Sequence, residues 1–501
     1  MKNMKDPIKI YDARWEVSEF NDEEVKRLFE ATFGYAQQLS IDTINITRDA
    51  RLGCSRVMEI AIDTAVNAGF KVYACFDSLS TPLSYFTTML TTLKHHNTMG
   101  LTITASHNPQ QYIGVKYTVP TVLAIGYDCG PLAGLKKVKE IYHSDFVLEK
   151  KDGGELVIIN HPVEEYIKYT MDAAKVSTNS LVGLTVVLDT LNGSAGPELL
   201  KALKLAGVKV IPLRIVPNGY FPTGSPNPTS QNKMENTIEI AQENNADVVI
   251  GVDGDGDRIV FGDKFGLFNS GFVMIPILKT LLSAEPSTFI AKVLYDPKVN
   301  PLALKKWGEL NVEPILFRNG HSQIKGHMNQ INALAGAEES GHFYHNLDLE
   351  NISVKAENSL LTILLFLDAV NKQRNILKDL REMQNQVFTS GELNYEFSSD
   401  QLRDEAMKVV IQYFEEDEAF ITSQSNDGID LEGNVIYKGV EINNKGVSLA
   451  DVWYSGYIRI ATNEKGVVRS YISSSNKETG EKIIASIKDI LETQFKGKII
   501  E

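Results

Sequence analysis

The sequence predicts an α/β protein in which mixed, mostly parallel sheets come first and an α+β domain with antiparallel strands comes last. Three observations carry this. Helical and strand periods alternate along the first third of the chain. Three separate passages run from an apolar strand onto an aspartate and then turn. From about Leu393 the alternation gives way to long strands flanked by two helices. At 501 residues the chain exceeds a single core, and the length prior is about three or four domains.

In order, "DEEVKRLFEATFGYAQQL" (Asp22 to Leu39) has apolar residues at helical spacing behind Asn21, a helix cap. "INITRDARLG", "KVYACFDS" and "GLTITAS" read as strands, and their alternation with helices is a βαβ pattern, hence a parallel sheet with helices on both faces. Functional groups belong where such strands end. "INITRDARLG" around Asp49, "LTVVLDTLNGSAGPELLKAL" around Asp189 and "STFIAKVLYDPKVNPLALKK" around Asp296 share one form. That recurrence points to three similar α/β domains, although capping aspartates alone would produce it. The turn Asn192-Gly193-Ser194-Ala195-Gly196 lacks the spacing of a nucleotide loop and reads as structural. "PNGYFPTGSPNPTS" (Pro217 to Ser230) is a loop, and "ADVVIGVDGDGDRIVFGD" (Ala246 to Asp263) is strand, acidic turn, strand. "SLLTILLFLDAV" (Ser359 to Val370) is too short to span a bilayer and reads as a buried helix. Helices at Gln401 to Phe414 and Thr479 to Phe495 frame the last strands.

A net charge of −14 argues against a nucleic-acid surface, so any anionic substrate is held by local cations. Cys54, Cys75 and Cys129 fit neither a disulfide framework nor a zinc pattern and read as reduced thiols of a cytoplasmic protein. The start lacks a signal-peptide core, and no membrane partner is expected.

Asp253-Gly254-Asp255-Gly256-Asp257-Arg258 sets three carboxylates at alternate positions, with glycines that let the backbone gather them. Oxygen-only ligands suit Mg²⁺ or Ca²⁺. An EF-hand is excluded, because its sixth and twelfth positions would be Arg258 and Lys264. Without a cation the carboxylates would repel one another. Magnesium completes its shell with water or phosphate oxygens, and Arg258 suits a phosphate held bidentately.

Ser106, at the end of "GLTITAS", reads as a helix cap or as a nucleophile. A Ser–His hydrolase is disfavoured: the turn is not Gly-x-Ser-x-Gly, and the adjacent side chains of Ser106 and His107 are expected to point apart. A phosphorylated Ser106 would supply the anionic ligand that the acidic turn lacks.

"TASHNP" together with "DGDGDR" resembles the serine and metal loops of the α-D-phosphohexomutases, the phosphoglucomutase and phosphomannomutase superfamily, and the likeness runs in order from about Ile10 to Arg469. The resemblance implies three related α/β domains and a C-terminal α+β domain around a central cleft, with boundaries at 1–178, 179–268, 269–388 and 389–501. It implies Ser106 as the phosphoserine, and Mg²⁺ held by Asp253, Asp255, Asp257 and the phosphorylated Ser106. Arg14 in "YDAR" and Lys116 in "GVKY" match positions beside the reacting phosphoryl group, Lys116 as a general acid/base, which requires a lowered pKa. "AEESGH" resembles the family's sugar loop, so Glu338 and Ser340 would meet sugar hydroxyls with His342 near the phosphate. His321 in "NGHSQIK" and Lys298 in "YDPK" match further site positions. The fourth loop, "RIATNEKGVVR", departs most: Arg459 remains, Ala461 replaces a serine, and Thr462 and Asn463 are left to hold the distal phosphate.

The activity so implied moves a phosphoryl group between O1 and O6 of glucose or mannose through phospho-Ser106, with hexose 1,6-bisphosphate as intermediate and activator. Positioning and charge neutralisation by Mg²⁺, Arg14 and Arg258 would do most of the work. The partner is a phosphosugar, and the protein a monomer or homodimer. Phosphoglucosamine mutase is an alternative, although its serine loop departs from "TASHNP". A mutase-like binder without turnover is a second, prompted by the fourth loop.

Overall fold

The computed structural model describes residues 5–443, 446–461 and 465–500. The chain forms two compact units. One comprises the residues up to Leu267 with Gly320–Asn332 and Ser340–Lys372, and the other comprises Phe268–Asn319, Ala333–Glu339 and the chain from Gln373 onward.

In the first unit, the strands Thr98–Ile103, Thr43–Arg48, Lys71–Ser78 and Glu155–Ile158 run parallel, and Tyr112–Val119 joins antiparallel to Thr98–Ile103, with Ala13–Glu16 antiparallel beyond it. The helix Asp22–Gln38 starts at Asn21, whose side chain accepts from Glu23 and Glu24 N–H while Glu24 returns a bond to the Asn21 backbone. Its apolar stripe, with Leu28, Phe29 and Phe33, is buried in one cluster with Ile44, Ile46 and Val72 of the sheet. The expected βαβ alternation therefore holds, and the antiparallel edge makes the sheet mixed.

A second sheet in this unit aligns Val248–Val252, Thr185–Asp189 and Lys209–Leu213 in parallel, with Ile259–Asp263 antiparallel to the first. The acidic turn is thus the connection of a β-hairpin, flanked by strands as the sequence indicates. Phe343–Leu349 and Ile352–Glu357 form another antiparallel pair, followed by the buried helix Ser359–Lys372. Among the described residues no helix is long and apolar enough to cross a membrane.

The second unit contains the parallel strands Val312–Leu316, Ala291–Tyr295 and Ala335–Ala337. It also contains a six-stranded antiparallel sheet centred on Asp430–Asn443, Gly446–Ile460 and Val467–Ser474. Helix Asp400–Glu416 extends the expected Gln401 to Phe414 at both ends. The last helix is shorter than expected: it runs Lys477–Lys488 and then widens into a π-turn, Asp489–Gln494, so its hydrophobic period changes before Phe495.

All three repeated aspartates end strands and are buried. Asp49 accepts from Arg51, Asp189 from Arg214 Nε (2.8 Å), Leu191 N–H and Thr237, and Asp296 from Asn319 and the Glu339 N–H. Each ties its strand end to the loop that follows or lies beside it. The glycine-rich turn at 192–196 also proves structural. A Cβ on Gly193 would lie 2.6 Å from the Asp253 carbonyl oxygen, and Ser194 N–H donates to the Gly254 carbonyl (2.9 Å), so this turn backs the acidic one.

Glu198, on the helix Gly196–Leu205, accepts from Ser80 Oγ at 2.5 Å, and Ser80 caps the helix Thr81–Lys94. Burial pushes the Glu198 carboxyl up to about 8, against the opposing effect of that hydrogen bond. Because the folded value is raised, this group's contribution to stability is complete below the unfolded value and is lost as pH rises toward 8. Urea unfolding across that range should show a decline of up to about 1.4 kcal/mol per pH unit in the wild type that Glu198→Gln removes.

Candidate active site

Ser106 follows the strand Thr98–Ile103 by three residues, buried and in left-handed backbone geometry with φ 51°. Its N–H donates to Thr104 Oγ1 (2.9 Å), and its hydroxyl donates to Asp253 Oδ2 at 3.1 Å. The same Oγ is 3.1 Å from His107 Nδ1. The expectation that Ser106 and His107 point apart is therefore incorrect: the positive φ turns the serine back toward its neighbour. Burial first, then Arg258 and Arg14, push the His107 imidazole well below its usual range, so the ring is neutral.

Arg51, fully buried, holds this loop by its backbone. Its guanidinium donates to the carbonyls of Ser106 (2.5 Å), Asn108 (2.6 Å), Pro109 (2.8 Å) and Tyr112 (3.3 Å), and Asp49 anchors it at 3.2 Å. The sequence offered no signal for this role, because the partners are main-chain oxygens 55 to 61 positions away.

The acidic turn gathers as expected. Asp253 Oδ1 accepts from the N–H groups of Asp257 and Arg258, both at 3.1 Å, and Gly256 adopts φ 77°. Asp255 Oδ2 accepts from Thr81 Oγ1 (2.7 Å), Thr104 Oγ1 (3.1 Å) and Lys116 Nζ (2.8 Å). Lys116 also donates to Asp257 Oδ2. One oxygen each of Asp255 and Asp257 is buried with no hydrogen-bond partner, and the three carboxylates offer ligand atoms within 4.8 Å of one another. This all-oxygen set with unsatisfied buried lone pairs suits a hard divalent cation.

Charge in this cluster is strongly coupled. Burial and then the charges of Asp255 and Asp257 push the Asp253 carboxyl well up. At Asp257 burial acts upward too, yet Lys116 and Arg258 outweigh it and the carboxyl is lowered. For Lys116, burial alone would favour the amine, but Asp255 and Asp257 dominate and hold the ammonium well above the usual range. This is the reverse of the lowered value a general base requires, because the lysine's nearest partners are anions. Lys116 is placed as a charged donor.

Arg14 donates to Asn108 Oδ1 (2.6 Å) and pairs with Asp12. Arg258 Nε donates to His342 Nε2 at 3.0 Å. Both ring nitrogens of His321 are buried without partners, and burial followed by Lys325 and Lys116 lowers its pKa well below the usual range. Ser106, Arg14, Lys116, Arg258, His321, His342 and the three aspartates all lie in the first unit, as does the half-buried Ser340.

In the second unit, Lys298 Nζ lies 3.4 Å from Glu392 and 3.8 Å from Asp296. Arg469 donates to Glu392 at 2.7 Å, and Arg459 is the cross-strand neighbour of Arg469. Burial works against ionisation of Glu392, yet Lys298, Arg469 and Arg459 bring its carboxyl down to about 2. Glu338 is buried and accepts from Asn319 (3.2 Å). Thr462 and Asn463 lie outside the described residues.

Residues 7–128, 164–266 and 272–389 match, respectively, the α/β/α domains I, II and III described as phosphoglucomutase/phosphomannomutase. A phosphomannomutase of Salmonella montevideo is 30% identical over 346 residues, covering 67% of this chain and 72% of that protein. The chain belongs to the phosphoglucomutase/phosphomannomutase family. "Phosphohexose mutases" of Xanthomonas campestris pv. campestris (strain B100) are 28% identical over 395 residues, 77% of this chain and 82% of theirs. A solved phosphoglucomutase/phosphomannomutase family protein from Burkholderia thailandensis shares the fold, with a TM-score of 0.75 at 19% identity over 97% of this chain and 96% of its own. As a phosphoglucomutase/phosphomannomutase family member the chain is an enzyme, an intramolecular phosphotransferase. Family domain I spans Arg14, Ser106 and Lys116, domain II the acidic turn, and domain III Lys298, His321, Glu338, Ser340 and His342.

Replacing Arg51 with Met should release four carbonyls of the serine loop at once. The expected cost is about 3–5 kcal/mol of unfolding free energy, the range for breaking a buried charged pair. Amide hydrogen exchange across residues 104–112 should accelerate more than in the acidic turn.

Proposed function

We propose that this hexose-phosphate mutase interconverts the 1- and 6-phosphates of glucose and mannose through phosphorylated Ser106. The reading is supported chiefly by one contact, the Ser106 hydroxyl 3.1 Å from Asp253 of the acidic turn, with Lys116 already on that turn's other two carboxylates. A phosphate on Ser106 would bring anionic oxygens to a cluster that has unpartnered carboxylate oxygens and three nearby cations, an arrangement that makes sense when a divalent cation joins the two.

In the forward half-reaction the sugar's free hydroxyl attacks phospho-Ser106. The new O–P bond forms as the Ser106 Oγ–P bond breaks, the hydroxyl proton passes to a base, and Oγ is reprotonated. In this reading the Lys116 ammonium donates to the departing Oγ and the hydroxyl proton restores its charge, while His321 lines the site. Arg14 and Arg258 hold the phosphoryl oxygens, so the residues contribute mainly position and fixed positive charge. Asp253, Asp255, Asp257 and phospho-Ser106 would hold Mg²⁺, which when bound neutralises phosphoryl oxygen charge. The hexose 1,6-bisphosphate then reorients and returns its other phosphoryl group to Ser106, and added bisphosphate activates by charging unphosphorylated enzyme. Lys298, Glu338 and Ser340 are assigned to sugar contacts, and Arg459 with Thr462 and Asn463 to the distal phosphate. Glucose and mannose differ at C2, away from both phosphates, so one set of contacts serves both.

Purified protein with Mg²⁺ and a trace of glucose 1,6-bisphosphate should convert glucose 1-phosphate to the 6-phosphate, and mass spectrometry should find phosphate on Ser106. Ser106→Ala should lack both the modification and turnover. Conversion at the wild-type rate by that variant would refute the phosphoserine. Chelation with EDTA should stop turnover and Mg²⁺ should restore it, whereas Asp255→Asn should lower activity at every Mg²⁺ concentration by about 100-fold or more.

A further inference from the structure

Asp257 of the acidic turn, His342 and Glu357 offer ligand atoms within 4.8 Å of one another, and Asp257 Oδ1, His342 Nδ1 and Glu357 Oε1 are buried without hydrogen-bond partners. Such a trio either binds a cation or shares a proton, and the far side of the imidazole decides between them. Arg258 Nε donates to His342 Nε2 at 3.0 Å. A guanidinium N–H can only donate, so Nε2 presents its lone pair and the ring carries its proton on Nδ1. A protonated nitrogen is no metal ligand. The Nδ1–H instead faces Glu357 Oε1 at 3.6 Å and Asp257 Oδ1 at 3.8 Å, a few tenths of an ångström beyond hydrogen-bond reach.

Glu357 is the better-placed acceptor. Its other oxygen is pinned by Lys325 Nζ at 2.8 Å, and Lys325 in turn donates to Tyr85 Oη at 2.9 Å with its ammonium 4.6 Å from the Tyr85 ring centre. Lys325 and Glu357 are both 1% exposed. Asp257 Oδ1 is the farther of the two, and it is one of the unpartnered oxygens that the acidic turn leaves toward a cation. The backbone fixes the remaining members: Arg258 and His342 form a β-bridge, Ile259 N–H donates to the Gly341 carbonyl at 2.8 Å, and Glu357 closes the strand paired with Phe343–Leu349.

We propose that Glu357, braced by Lys325 and Tyr85, is a positioning residue that fixes the His342 ring and through it the Arg258 guanidinium. With Nε committed to His342, Arg258 keeps its two terminal nitrogens for phosphoryl oxygens. The catalytic consequence rests on the reading of Arg258 as a phosphoryl clamp, whereas the chain itself is independent of it.

The test pairs Glu357→Gln with the double variant Lys325→Met/Glu357→Gln, which removes both buried charges so that the fold is not left with an unpaired ammonium. Nitrogen NMR of ¹⁵N-histidine-labelled protein without substrate reads the chain directly. Wild type should show His342, assigned with His342→Gln, as a single Nδ1–H tautomer, and both variants should show mixed tautomers. Both should also lose about tenfold to a hundredfold in kcat/KM, mostly in kcat. The thermal midpoint of the double variant should recover toward wild type while kcat stays low. The proposal fails if the tautomer is unchanged in the variants, if kcat recovers along with stability, or if wild type binds Zn²⁺ tightly at a site that Glu357→Gln abolishes. If the wild type showed no hexose-phosphate turnover, the mutase reading would fall while the tautomer result still judged the chain.

Discussion

Three buried carboxylates with ligand atoms within 4.8 Å of one another repel and are desolvated, and partners from several segments of the first unit offset that cost. Two backbone N–H groups of the hairpin turn stabilise Asp253, and Thr81, Thr104 and Lys116 stabilise Asp255. These partners come from different segments: the start of one helix, the end of one strand and the middle of its neighbour. The acidic turn therefore acts as an organiser, and the loop of Ser106 is placed by the same contacts that neutralise the charge.

The compensation is incomplete on one side. Asp255 Oδ1 and Asp257 Oδ1 have no partner, and the oxygens Lys116 holds are the opposite ones. The edge of these carboxylates opposite Lys116 is the one that would be open to a divalent cation. This arrangement, against the effect of burial, holds the Lys116 ammonium well above its usual range through Asp255 and Asp257.

Chemistry concentrated in contiguous residues was legible from the sequence. The alternation of aspartate and glycine announced a gathered set of carboxylates, the flanking apolar runs announced strands, and the polar break after "GLTIT" announced the strand end. What was not legible acts at long range or through conformation. Arg51 holds main-chain oxygens, Glu357 reaches His342 only through burial, and the left-handed turn at Ser106 occurs at a residue type that seldom adopts it. The charge state of Lys116 follows from burial beside Asp255 and Asp257, which no spacing reveals. At the other end, the expected helix to Phe495 broke at Lys488 because a hydrophobic period carries no signature of a π-turn.

Arg51 grips four peptide oxygens of the segment from Ser106 to Tyr112 and none of its side chains. A clasp that reads only the main chain is indifferent to what is attached to it. The outward-facing positions Gln110 and Gln111, both exposed, are therefore open to replacement without unseating the serine, which makes this rim a natural place for the loop to vary while Ser106 stays fixed.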